Sequence, residues 1–297
     1  MLHHYALEPG LLHDFDKVRY FVEKFGVAEG RLISRFPKKW EGLVREASRE
    51  CGDVQRKRIE EFLLRNRHRL VPSHRAYNER IEWLPNAETA HAIKPFYRII
   101  AVNNPRRRNY VLLGDELDDG MEGWTVCRGI SVNRNAHELA KAVAPLLSIS
   151  QEVLFVDPYF QPGDPRFMKS FEAFIRVLKG NAQTITRIEY HMYAEKFENT
   201  SAFIDECRRS VPAMLPVDFR VTFVRWNEKL GGERFHDRYV LTNMGGLVLP
   251  GGLNTGSGTT DVILLDAQIY QKRWLNFQRA TSAFDLESEV TIVGTTG

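Results

Sequence analysis

The residues of this chain best suited to chemistry lie in the stretch Arg-Phe-His-Asp-Arg-Tyr at positions 234–239. His236 and Arg238 are two residues apart, so in a strand their side chains leave the same face, and Asp237 leaves the other. An imidazole can attack phosphorus or transfer a proton near neutral pH. A guanidinium offers a fork of N–H donors to phosphoryl oxygens. The pair therefore predicts a site that handles phosphate.

A glycine-containing run, Pro-Gly-Gly-Leu-Asn at positions 250–254, follows this stretch. Gly251 and Gly252 have no side chain, so the backbone there can come close to a ligand. Asn254 adds an amide that can donate hydrogen bonds. We expect this run to support the same phosphate.

Two carboxylates are candidates to support the imidazole of His236. Glu233 lies three residues before it. Asp157 follows the apolar run Val-Leu-Phe-Val, and the carboxyl ends of parallel strands are where open α/β sheets place their sites. A turn-forming role for Asp157 before Pro158 is an equally good interpretation. Asp237 is discounted, because we expect it to point to the opposite face of the strand.

The order of these residues resembles the signature of the phospholipase D superfamily. That signature is His-x-Lys, then Asp after four residues, then Gly-[Ser/Gly]-x-Asn after six more. The matching positions here are His236, Arg238, Asn243, Gly251, Gly252 and Asn254. The chain departs from the signature in three ways: Arg238 replaces Lys, Asn243 replaces Asp, and seven residues instead of six precede Gly251.

The resemblance covers about residues 126–297 and implies an α/β fold, with a mixed, largely parallel sheet and helices on both faces. It also implies a metal-independent phosphodiesterase without a cofactor, in which one histidine attacks phosphorus and a second protonates the leaving oxygen. This chain has one such motif, so the resemblance implies a homodimer that pairs His236 with its symmetry mate. His191 lies near the end of a predicted strand, and we expect packing rather than catalysis from it.

The elements that must position these residues are predicted from the pattern of the second half. Apolar runs predict strands at 153–156, 185–192, 219–224, 239–241, 247–249 and 262–265. Helical periodicity predicts helices at 136–147, 166–178, 202–214 and 268–279. Alternation of strands and helices at this spacing predicts an α/β arrangement.

The first half, residues 1–125, is predicted to be a separate α+β domain of helices followed by hairpins. Apolar spacings of three and four residues predict helices within 11–70. Short apolar runs at 81–84, 96–102 and 110–113, separated by turn residues, predict strands. No motif in this half indicates chemistry.

Charge is distributed unevenly along the chain. The formal net charge is +3, but residues 31–108 contain 19 Lys and Arg against 9 Asp and Glu. Such a segment attracts phosphate polymers, and a solvated helix face with no partner is an equally good interpretation. The candidate nucleic-acid-binding residues are Arg65, Arg67, Arg69, Arg106, Arg107 and Arg108.

Several classes of protein are excluded by composition. No apolar run approaches the ~20 residues of a membrane span, and the start of the chain lacks the pattern of a signal peptide. The isolated cysteines Cys51, Cys127 and Cys207 form no spacing typical of a zinc site or a disulfide framework. We therefore expect a cytoplasmic protein with no membrane partner.

Three functions are compatible with these observations. The first is a nuclease acting on DNA or RNA, which the resemblance connects with bacterial antiviral defence. The second is a catalytically weak module on the same fold that binds nucleic acid or docks a partner such as an ATPase or helicase. The third, a lipid phosphodiesterase, is disfavoured because no amphipathic surface helix is evident.

Overall fold

The computed structural model describes residues 1–180, 183–196 and 199–295. Contacts within the chain divide it into two compact units, residues 1–128 and 129–297. The change of sequence character predicted a division after residue 125. In the described part of the chain, no helix is both long enough and apolar enough to cross a membrane.

The first unit contains a five-stranded parallel sheet. Its strands are β1 (His3–Leu7), β2 (Arg31–Arg35), β3 (Leu70–Pro72), β4 (Ile99–Ala101) and β5 (Val111–Leu113). Its helices are α1 (Phe15–Glu23), α2 (Trp40–Ala47), α3 (Asp53–Arg65) and α4 (Trp83–Ile93). The strand order is β3-β2-β1-β4-β5, so β3 and β5 are the two edge strands.

The predicted hairpins of the first unit are wrong. β4 pairs with β5 in parallel, with Ile99 opposite Val111, so the turn residues 103–105 belong to a crossover. The run 81–84, predicted as a strand, contains the start of α4. The sequence pattern did not predict β1, β2 or β3. These strands are short and largely buried, so they lack the alternation of polar and apolar residues that marks a half-exposed strand.

The second unit contains an eight-stranded mixed sheet. Its strands are β6 (Gly129–Asn133), β7 (Glu152–Val156), β8 (Arg187–Tyr193), β9 (Arg220–Glu228), β10 (Tyr239–Thr242), β11 (Gly245–Val248), β12 (Thr259–Leu264) and β13 (Phe284–Val293). Its helices are α5 (Ala136–Leu147), α6 (Pro165–Lys179), α7 (Thr200–Ser210) and α8 (Ala267–Asn276).

The strand order of the second sheet is β13-β9-β8-β7-β10-β11-β12-β6. β7, β8 and β9 are parallel to one another, and the other five pairings of this sheet are antiparallel. The predicted α/β class and the mixed sheet are confirmed, but most pairings in this sheet are antiparallel, so the expectation of a largely parallel sheet is wrong. A connection of two residues, 243–244, forces β10 and β11 into a hairpin, because a parallel crossover needs about a dozen residues.

Helices cover both faces of this sheet. Phe155 of β7 stacks on Phe174 of α6, with ring centroids 5.3 Å apart. The neighbouring residues Leu154 and Val156 point the other way, into an apolar cluster that includes Phe277 beyond α8. The strands β7 and β10 are thereby fixed between two packed layers, and the candidate site lies where β7 ends and β10 begins.

Candidate active site

His236 lies in the extended segment that leads into β10. Its ring is largely exposed, with 69% of the side chain accessible. Nδ1 lies 3.2 Å from Oδ1 of Asp237. A carboxylate only accepts hydrogen bonds, so Nδ1 carries the proton and Nε2 presents its lone pair to solvent when the ring is neutral. This is the tautomer that a nucleophile or general base requires.

Asp237 is the carboxylate that positions the imidazole, although we expected it on the opposite face. Its Oδ2 accepts a hydrogen bond of 2.6 Å from the Tyr239 hydroxyl and lies 3.5 Å from Arg273 of α8. Oδ2 thus bonds Tyr239, two residues on, as alternation along the strand predicts, and Oδ1 contacts His236. Burial alone would raise the pKa of Asp237, yet the hydrogen bonds from Tyr239 and His236 outweigh it and lower the pKa. The carboxylate is therefore ionised at neutral pH.

Arg238 precedes β10 by one residue, so it lies level with the carboxyl end of β7. Its guanidinium carbon is 4.8 Å from the ring centroid of Tyr159, and Nη1 donates to the carbonyl of Pro250 at 3.3 Å. The side chain is half-buried, and within the described residues its Nε has no hydrogen-bond partner. A cation of this kind can bind a phosphoryl oxygen.

Asp157 lies beneath the loop that joins β11 to β12, residues 249–258, with 1% of its surface exposed. One carboxylate oxygen accepts from Leu253 N at 2.9 Å and the other from Tyr159 N at 3.0 Å. Burial raises its pKa, against the opposing effect of those two bonds and of the charges of Arg238 and Arg134. Asp157 therefore holds the β11–β12 loop in place instead of contacting His236.

Gly251 and Gly252 pack the loop tightly and do not present backbone donors. A Cβ at Gly251 would lie 2.6 Å from the Thr260 hydroxyl, and one at Gly252 would lie 2.6 Å from Oδ1 of Asn254. Gly252 also has φ of +95°, which favours glycine. The N–H groups of both glycines already donate within the chain. The donors available to a phosphate at this loop are therefore side chains.

Asn254 is held by an arginine that the sequence motif does not contain. Arg134, just after β6, donates from Nη2 to Oδ1 of Asn254 at 2.9 Å. Its backbone carbonyl also accepts from Gly256 N at 2.8 Å. Pattern analysis missed Arg134 because it lies far from the motif in sequence, and the only local signal is the polar run Asn-Arg-Asn at 133–135 before α5.

Asn243 lies at the opposite end of β10 from Arg238. Its Oδ1 accepts from the backbone N–H groups of Gln151 and Glu152, at 2.9 and 3.1 Å. The structure does not bring it together with His236, because β10 separates them. The residue that the resemblance aligns with the signature Asp thus ties β10 to the start of β7.

Replacing Asn243 by alanine should lower stability without affecting phosphate chemistry. Two backbone N–H groups lose their acceptor, which costs about 1–2 kcal/mol of unfolding free energy. Urea unfolding measures this cost, and the folded variant should bind inorganic phosphate as the wild type does. Asn254→Ala is the matched variant, and it should weaken phosphate binding. An Asn243→Ala protein with weakened phosphate binding and unchanged stability would contradict this assignment.

Glu233 is engaged by α8 and does not contact His236. Its carboxylate pairs with Arg273, accepts from Nδ2 of Asn276 at 2.9 Å and lies 3.4 Å from Lys272. The expected contact of Glu233 with the imidazole is therefore absent among the described residues. Glu233 instead fixes Arg273, which in turn lies beside Asp237.

His191 is fully buried in β8 and serves packing, as we expected. The Trp226 indole N–H donates to its Nδ1 at 2.8 Å, so the proton is on Nε2, which donates to Glu189 at 3.0 Å. Arg279 donates to both oxygens of Glu189, at 2.8 and 2.7 Å. Burial would raise the pKa of Glu189, but His191 and Arg279 outweigh it and hold the pKa at about 2.

This network predicts a specific acid sensitivity. The pKa of Glu189 falls from its ordinary 4.5 to about 2 on folding, so the unfolded chain binds more protons between these values. The ionised Glu189 therefore stabilises the folded state above pH 4.5, and this contribution is lost as the pH falls toward 2. Glu189→Gln should flatten the decline of unfolding free energy in that window, measured by urea unfolding at several pH values. Glu172→Gln, at an exposed helical ion pair, should keep the wild-type slope.

The basic residues of the first unit fall into two groups, one at each edge of its sheet. Arg65, Arg67 and Arg69 precede edge strand β3, whereas the Arg106–Arg108 run precedes the other edge strand, β5. Four strand spacings separate the two edges, about 19 Å. Several of these cations are also engaged: Arg65 pairs with Glu61, Arg67 with Glu41 and Arg106 with Glu88.

Arg69 has a structural role that the charge pattern did not indicate. Its Nη1 donates to the carbonyls of Val22, Glu23 and Phe25, which end α1 and lie just beyond it. Arg69→Ala should lower the unfolding free energy by about 2 kcal/mol, because hydrogen bonds to charged groups are strong. Urea unfolding followed by tryptophan fluorescence measures this. Arg65→Ala is the control and should change stability little, since both side chains of its ion pair with Glu61 are exposed.

Comparison with known proteins gives no family. No protein-family model matches this chain, and no curated protein matches it. A solved structure of TrmBL2, described as an archaeal chromatin protein with a novel mode of DNA binding, is similar at 12% identity with a TM-score of 0.26. The match covers 50% of this chain and 53% of that chain, so about half of each is compared. A likeness this low carries no argument about fold or function.

Proposed function

We propose that residues 129–297 form a metal-independent phosphodiesterase that cleaves nucleic acid, with His236 as the nucleophile. One observation carries the proposal: an exposed imidazole, oriented by the Asp237 carboxylate, lies two residues from Arg238 at the edge of the β11–β12 loop. An oriented base beside a phosphate-binding cation is what phosphoryl transfer through histidine requires. The resemblance to phospholipase D supports the same chemistry.

The reaction follows from the tautomer of His236. Nε2 forms a bond to phosphorus while the bond from phosphorus to the leaving oxygen breaks, and Arg238 binds the non-bridging oxygens. Asp237 stabilises the imidazolium character that develops on the ring. The leaving oxygen takes a proton from a second imidazole. That imidazole then removes a proton from water, whose oxygen displaces His236 from phosphorus.

The second imidazole should come from a second copy of the chain. His191 is buried and both of its nitrogens are engaged, so it cannot serve. No second His-x-Lys or His-x-Arg occurs in the sequence. A twofold dimer would place one His236 opposite the other. Mixing wild-type chains with an excess of His236→Ala chains should then inactivate the wild type, because a mixed dimer keeps only one of the two imidazoles.

The test of the proposal is cleavage in EDTA. Supercoiled DNA, single-stranded DNA, RNA and phosphatidylcholine vesicles are offered at low and moderate salt. We expect cutting of nucleic acid that resists EDTA, together with an acid-labile phosphoprotein when the reaction is stopped early. Activity that disappears in EDTA and returns with Mg²⁺, or hydrolysis of the vesicles alone, would refute it.

A binding module on the same fold is the second candidate, and one observation favours it. The amide of Asn254 is engaged at both ends, by Arg134 at Oδ1 and by the carbonyl of Thr255 at Nδ2. A module of this kind would retain phosphate affinity without turnover. Salt-sensitive DNA binding by a protein that cleaves nothing in the EDTA assay would establish it.

The cellular setting is a proposal that depends on the resemblance. We propose a cytoplasmic role in antiviral defence, with DNA or RNA as the ligand and an ATPase or helicase as the protein partner. Free nuclease activity endangers its own cell, so a partner that controls access would be expected. Protection against phage by wild-type protein, lost with His236→Ala, tests this role.

A further inference from the structure

Two guanidinium groups lie at the two ends of the β11–β12 loop. Arg238 donates to the carbonyl of Pro250, near the loop's start. Arg134 bonds Asn254, and its guanidinium would lie 3.1 Å from a Cβ at Gly256, near the loop's end. Both charges act on the carboxylate of Asp157 beneath the loop. The two cations are therefore held close to one buried carboxylate at this loop.

Both arginines keep donors that the described part of the chain does not satisfy. Nε of Arg134 and Nε of Arg238 are each buried and have no hydrogen-bond partner within the described residues. The backbone N–H groups of Gly251 and Gly252 cannot attract the anion in their place, because they already donate.

The contact with Arg134 also fixes the orientation of the Asn254 amide. Guanidinium only donates, so the atom facing it must be Oδ1, and Nδ2 must lie on the other side. Nδ2 donates one hydrogen to the carbonyl of Thr255, which leaves its second hydrogen available. Arg134 thus presents an amide donor as well as its own charge.

We propose that Arg134 completes a phosphate subsite with Arg238, acting both as a phosphate ligand and as the positioning residue of Asn254. The inference rests on the proposed function in taking a phosphodiester of nucleic acid as the ligand. The two guanidinium groups bind the non-bridging oxygens from the two ends of the loop. A second cation, Arg134 just after β6, supplies charge that Asn243, at the far end of β10, cannot supply.

The experiment measures binding of inorganic phosphate by calorimetry at low ionic strength. Arg134→Ala and Arg238→Ala should each weaken phosphate binding roughly 10- to 100-fold, the range for a hydrogen bond to a charged group. Arg208→Ala is the matched control, because Arg208 is an exposed arginine of α7 paired within its own helix. It should leave the affinity within about twofold, since exposed ion pairs matter little. Arg134→Ala with wild-type affinity, or wild-type protein that binds no phosphate, overturns the proposal.

The positioning role has its own readout. In a double-mutant cycle, Arg134→Ala and Asn254→Ala should be non-additive, because each removes the same oriented amide. Arg134→Lys keeps the charge but lacks the fork, so it should bind phosphate better than Arg134→Ala and still lose the coupling to Asn254. Full additivity in the cycle contradicts the positioning role. If Arg134→Ala does not fold, Arg134→Lys and Arg134→Gln give the same comparison.

Failure of the subsite and failure of the proposed function are distinguishable. If phosphate binding depends on Arg134 but the protein cleaves no nucleic acid, the subsite is supported and the proposed enzymatic activity is refuted. In the His236→Ala background, a DNA oligonucleotide and phosphatidylglycerol vesicles separate the two sources of phosphate. We expect Arg134→Ala to weaken the oligonucleotide complex. If Arg134→Ala weakens binding to the vesicles but not to the oligonucleotide, nucleic acid is not the ligand.

Discussion

Replacing His236 by alanine should reduce cleavage of DNA in EDTA by roughly 10³-fold or more, because the nucleophile itself is removed. Binding of the same DNA should persist, since Arg238 and Arg134 keep their contacts with the β11–β12 loop. The exposed ring packs against little, so the unfolding free energy should not change. Single-turnover cleavage and a salt titration of binding measure the two effects separately.

Two variants make the His236 result interpretable. His137→Ala removes another exposed histidine of the same unit and should leave the rate unchanged. Asp237→Asn keeps the shape of the side chain but loses the carboxylate that orients Nδ1, so we expect a loss of roughly 10- to 100-fold. A His236→Ala protein that cuts at the wild-type rate would remove the imidazole from the mechanism and favour the binding module.

The second large effect concerns stability. Replacing Asp157 by alanine should lower the unfolding free energy by about 3 kcal/mol, because the N–H groups of Leu253 and Tyr159 lose their acceptor. The loop that carries Asn254 should loosen at the same time. We therefore expect cleavage and phosphate binding to fall as well, although Asp157 touches neither substrate nor His236. Urea unfolding and hydrogen exchange at Leu253 measure the two consequences.

Graded variants separate the hydrogen bonds of Asp157 from its charge. Asp157→Asn retains one acceptor oxygen but turns an N–H donor toward one backbone N–H, so its stability should lie between wild type and alanine. Asp205→Ala removes an exposed carboxylate of α7 and should change stability little. An Asp157→Ala protein as stable as wild type would show that the loop is held by packing alone.

The sequence by itself determined those features that depend on near neighbours. The helix predicted at 136–147 has the bounds of α5, because a capping Asn135 and apolar spacing define it within one segment. The strand predicted at 153–156 lies within β7. It was predicted because β7 is buried on both faces, which requires an unbroken run of apolar residues. The proximity of His236 and Arg238 also required only their spacing.

Tertiary structure decided everything that joins distant segments. The order of strands in the sheets brings Arg134 to Asn254. It also places the Arg65–Arg69 and Arg106–Arg108 runs before opposite edge strands, β3 and β5. Asn243 and His236 are close in sequence, yet an extended strand of about 3.3 Å per residue places them at opposite ends of β10. Periodicity reports which face a residue occupies, and only packing decides which other segment meets that face.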